Sequence, residues 1–134
     1  MIVQSLYQMQ ITGTSEKELL AQFREHPDYE HVDQEYFDEV LSGICRNTDE
    51  LEKSIDEFAD RPISQLDPVE RGILLLGVYE LKEKPDVPFK VVINESVNIA
   101  KRFGAVDGHK YINACLDGAA QSLRSTEIQS QGSG

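Results

Sequence analysis

The chain has 134 residues, net charge −11, two cysteines and no tryptophan. That length suits one domain able to bury about two thirds of its unfolded surface, so neither a disulfide nor a metal is needed to hold a core. No apolar run is long enough to span a membrane and the start, MIVQSLYQMQ, has no basic segment ahead of it, which excludes a secretory signal and implies a cytoplasmic protein.

In chain order, Ile2, Val3, Leu6 and Met9 share one helical face, and Ile11 to Thr14 breaks that pattern. Ser15 with Glu18 forms a capping box for a short helix through about Glu25, with Leu19, Leu20 and Phe23 inside. His26-Pro27-Asp28 reads as a loop. Asp33 caps a longer helix whose stripe is Tyr36, Phe37, Val40, Leu41 and Ile44. At Asn47-Thr48 the pattern restarts with Leu51, Ile55 and Phe58, as one bent helix or two.

Asp67-Pro68-Val69-Glu70 is a strong helix start: a cap, a proline in the first turn and an acid at the third position. The run Gly72 to Tyr79 is uncharged and apolar nearly all round, so it belongs in the middle of the domain. Gly72 and Gly77 there allow close approach of neighbouring helices. Pro88 opens a further helix, with Phe89, Val92, Ile93, Val97, Ala100 and Phe103 on its buried face, and Gly104 stops it after the basic turn Lys101-Arg102. Asp107 is placed to cap the next helix, whose stripe is Ile112, Cys115, Leu116, Ala119 and Leu123. The fold class is therefore all-α, with six to seven helices packed as two small bundles around a central apolar helix. Residues 1–123 form one domain, and residues 124–134, polar and rich in Ser, Gln and Gly, read as a disordered tail.

Charge divides the chain. Residues 25–60 carry thirteen acids against Arg46 and Lys53, whereas residues 68–117 carry seven acids and seven Lys or Arg. The acidic block repels phosphates and suits a basic protein partner. Only the balanced half offers phosphate contacts. There, Lys101, Arg102, His109 and Lys110 surround Tyr111, which lies about 100° from the centre of its helix's buried stripe. Such an aromatic at the core's edge can stack on an unpaired base, worth about 1–3 kcal/mol. The bland alternative is an ordinary helical surface with Tyr111 half-buried.

Nothing in the sequence carries catalysis. There is no GxSxG, no HExxH and no phosphate-cradling loop after a strand. His26 and His31 lack a third ligand nearby and read as solvated loop residues. Cys45 and Cys115 sit in helical patterns without ligand spacing and read as small buried hydrophobes. No enzyme activity, cofactor or metal is expected.

Tyr79-Glu80-Leu81, Asp86-Val87-Pro88-Phe89-Lys90-Val91, Asn94-Glu95, Ala100-Lys101, Phe103-Gly104, Gly108-His109-Lys110-Tyr111-Ile112-Asn113 and Leu116-Asp117 together resemble the C-terminal signature of NusB proteins. Gln4-Ser5-Leu6-Tyr7-Gln8 resembles that family's first helix, and the likeness covers about residues 1–123. The resemblance implies an all-helical, non-enzymatic transcription antitermination factor. Such a protein binds boxA, a single-stranded RNA of rRNA leaders, as a heterodimer with the ribosomal protein NusE, and joins RNA polymerase with other Nus factors. It implies that Tyr111 stacks on the RNA with Lys110 and Asp107 near it; the basic residues Lys101 and His109 named above adjoin that site, and Arg71 stands in for an arginine that some relatives carry where this chain has Leu75. Tyr7 and Glu70 would face NusE. The family's arginine-rich lead into the first helix has no counterpart here, which implies either a truncated start or greater reliance on the partner.

Overall fold

The computed structural model describes residues 2–59, 62–103 and 108–132. Eight α-helices lie among the described residues: α1 Ile2–Thr12, α2 Glu16–Arg24, α3 Gln34–Arg46, α4 Thr48–Phe58, α5 Pro68–Glu83, α6 Phe89–Arg102, α7 Gly108–Leu123 and α8 Ser125–Gly132. Short 3-10 turns at Pro27–His31 and Ile63–Gln65 join them.

The caps fall where the side chains require. Ser15, Asp33 and Asp67 each accept a backbone N–H three residues on, from Glu18, Tyr36 and Glu70. His26 begins the first 3-10 turn by accepting the Asp28 N–H at Nδ1, and its ring stacks on Phe23, so this histidine has a structural task. Asn47 separates α3 from α4, making two helices of the 34–58 stretch.

Helix α5 is the axis. Every residue from Gly72 to Tyr79 is buried, and α1, α3, α4, α6 and α7 all pack on it. Helices α1 to α3 form one small bundle, and α4, α6 and α7 complete the other around α5. The close approach expected at the glycines is present at Gly77, where an added Cβ would stand 2.9 Å from both Leu116 methyls and 3.3 Å from Ser96 Oγ. No helix among the described residues is long and apolar enough to cross a membrane.

Two expectations need correction. Ser125–Gly132, read as part of a disordered tail, is helical, and Arg124 at its head is 6% exposed. Polar composition misled because the guanidinium finds buried carbonyls to bond. Phe103, assigned to the buried face of α6, is 49% exposed. It follows the last residue of α6 and stands level with the first turn of α5, where the bundle ends.

Candidate nucleic-acid and partner interface

The α6–α7 corner displays the cations named above. Lys101 and Arg102 form the exposed last turn of α6, where positive charge also complements the helix dipole. Lys110 is exposed on the first turn of α7. His109 beside it is half-buried, and its Nδ1 has no hydrogen-bond partner among the described residues. Asp107 lies outside the described residues, and so does its expected capping contact.

Tyr111 departs from its expected place. It is 8% exposed and belongs to the hydrophobic core with Ile112 and Leu116. Its ring therefore does not offer an open face for a base in this conformation. A single helical wheel puts Tyr111 at the stripe's edge. The tertiary packing around α7, which touches α4, α5, α6 and α8, buries it instead.

Arg71 is not held out toward the α6–α7 corner. Its guanidinium pairs with Glu52 of α4 and donates through Nη1 to Gln10 Oε1 of α1 at 3.3 Å. Burial lowers its pKa from the ordinary arginine value. To reach a phosphate it would have to leave Glu52.

A second surface gathers residues far apart in sequence around Tyr7, one of the two expected partner-facing residues. Tyr7, 44% exposed, and Phe103 line one apolar cavity of about 300 Å³ together with Val3, Gln4 and Val69. Glu70, half-buried, is next to Val69 on the first turn of α5. Beyond Phe103 the surface continues into a groove of about 490 Å³ walled by Arg102, Ile99, Val32 and His31, with Asp28 at its rim. Two large exposed aromatics on one cavity are unusual for a monomer's surface and typical of a protein contact. The signals available in sequence were Tyr7 within α1 and the aromatic just past the end of α6. Their meeting depends on how α1 and α6 cross α5. Among the described residues, no cluster of three or more His, Cys, Asp or Glu is placed to hold a metal.

An all-helical double bundle around a central apolar helix thus carries two unlike surfaces side by side, a cationic helix corner and an aromatic groove. The NusB family model matches residues 1–121, and on that evidence the chain belongs to the NusB family. The transcription antitermination protein NusB of Nitrosospira multiformis is 45% identical over 94% of this chain and 80% of its own length. That of Paraburkholderia phymatum is 44% identical over 94% of this chain and 87% of its own. Among solved structures, Thermotoga maritima NusB superposes with a TM-score of 0.79 at 27% identity, covering 90% of this chain and 85% of that one.

Proposed function

We propose that this chain is a transcription antitermination factor that binds boxA RNA as a heterodimer with NusE and joins RNA polymerase together with other Nus factors. It acts in the cytoplasm without catalysis. Family membership supports antitermination, since the relatives carry that name. The observation that carries the division of labour is the adjacency of two unlike surfaces. Phe103 belongs to the aromatic groove, and Lys101 and Arg102 immediately precede it on the cationic corner. A protein seated against Tyr7, Val69 and Phe103 would extend the phosphate-binding surface beyond Lys101, Arg102 and Lys110. The acidic stretch of residues 25–60 suits a basic ribosomal protein.

A second reading is a protein-interaction module without independent RNA binding. The pairing of Arg71 with Glu52 and the burial of Tyr111 favour it, because both subtract from the RNA edge. Titration of labelled boxA RNA against the chain, alone and with NusE, separates the two. Weak, steeply salt-dependent binding alone that tightens with NusE is the expected result. NusE binding with no RNA affinity in either arm supports the second reading.

A further inference from the structure

We infer that Arg124 and Glu127 make the C-terminal helix α8 a strap that closes the α5–α6 turn by capping both helices from outside. This goes beyond the RNA and partner surfaces above, which it does not touch.

The turn cannot cap itself. Helix α6 starts after Pro88, which has no side-chain oxygen for the free N–H groups of the first turn, and no capping bond forms there. Helix α5 ends at Glu83; the Lys84 N–H serves Glu80 O, and the carbonyls after it lack intrahelical donors. Arg124 and Glu127 answer both needs. Arg124 Nε donates to Leu81 O at 2.7 Å. Nη2 donates to Lys84 O at 2.8 Å and to Glu80 O at 3.1 Å. Nη1 donates to Val87 O at 2.8 Å and to Glu127 Oε1 at 2.6 Å. These bonds employ all of the guanidinium's N–H groups. Glu127 Oε2 then accepts the Phe89 N–H at 3.1 Å, at the start of α6.

The charges suit their places. The cation lies at the C-terminal end of α5 and the carboxylate at the N-terminal end of α6, each complementing the local helix dipole. Arg124 is buried with one anionic partner, so losing that carboxylate removes both its counter-charge and the cap on α6. Within the turn itself, Val87 N–H donates to Lys84 O at 3.0 Å, on a carbonyl that Arg124 also engages. The strap is thus a latch on the turn, and opening it frees the N-terminal end of α6 while the core between α3 and α5 stays packed.

Native-state hydrogen exchange on the full chain tests this. In Glu127→Ala, the Phe89 and Val87 amides are expected to exchange at least about tenfold faster, with the amides of Val40 to Ile44 unchanged. Arg124→Lys is expected to give the same local pattern, because an ammonium cannot span five acceptors. Arg124→Lys with Glu127→Ala should exchange no faster at Phe89 than the Glu127→Ala single variant, since both changes open one latch. Unchanged protection at Phe89 in Glu127→Ala overturns the inference. So does a uniform rise that includes α3, which would make the pair a general stabiliser. Glu127→Ala leaves the buried arginine in place, so it decides the matter even where an Arg124 variant does not fold.

Discussion

Tyr7 and Phe103 line the same apolar cavity from opposite ends of the chain, one on α1 and the other just past α6. Neither belongs to the core, so their exposed rings cost solvation without contributing comparable packing. Replacing either with Ala is expected to weaken NusE binding by roughly ten- to a hundredfold, the range of a buried aromatic anchor at an interface. The melting temperature should hardly move. Calorimetric titration paired with thermal unfolding checks both halves. A variant that binds normally would remove this cavity from the partner surface.

Tyr111 and Lys110 are neighbours in sequence and opposites in environment. Tyr111→Ala is expected to cost about 3 kcal/mol of stability, as for other large aromatics removed from a core. Lys110→Ala should leave stability unchanged and lower RNA affinity at low salt, with a salt slope reduced by about one phosphate contact. Denaturant unfolding and RNA titration across a salt series read these two effects. If Tyr111→Ala folds normally and loses RNA, the ring must swing out of the core on binding.

Arg71 and Glu52 give a test of which charges are available. Glu52→Gln removes the carboxylate that engages the guanidinium, so Arg71 becomes able to reach solvent. The variant should bind RNA more tightly than the parent if Arg71 lies within reach of a phosphate. RNA affinity equal to that of the parent at low salt would confine Arg71 to holding α1, α4 and α5 together.

Glycine is required at two helix crossings for want of room. A Cβ at Gly43 would overlap the Tyr79 ring, and one at Gly77 would crowd the fully buried Leu116. Alanine restores about 1 kcal/mol of helix propensity at either place. Overpacking costs about 1–3 kcal/mol, and more where a rigid ring blocks the site. Gly77→Ala is therefore expected to be mildly destabilising and Gly43→Ala clearly so, measured by urea midpoints. A stabilised Gly43→Ala would mean that Tyr79 moves aside freely.

The carboxyl of Glu80 carries a pH signature. Burial raises its pKa, an effect that the hydrogen bond from Tyr36 Oη at 2.5 Å opposes and the nearby charge of Glu95 reinforces. An acid with a raised folded pKa binds its proton more tightly in the native state. Its favourable contribution is complete below the unfolded value near pH 4.5 and is lost as pH rises through the folded pKa. Glu80→Gln keeps an acceptor for Tyr36 and carries no charge. It should be more stable than the parent at pH 7, with the advantage vanishing toward pH 4. Melting curves across that interval decide it.

What the sequence determined by itself was local. Asp33, Asp67 and Ser15 cap their helices because a side-chain oxygen and a free N–H three residues on need no tertiary help. The uncharged run from Gly72 to Tyr79 declared the central helix because nothing but burial suits it. The motif Gly108-His109-Lys110-Tyr111 carried the family. Tertiary structure decided everything that depends on which helix covers which. It buried Tyr111 in the core, left Phe103 bare beside the first turn of α5, and bound Arg71 to Glu52. It also turned a polar C-terminal stretch into a helix anchored by Arg124. A helical periodicity reports one face at a time. Exposure at the ends of a bundle, and the partner of a charged side chain, are set by residues far away in sequence.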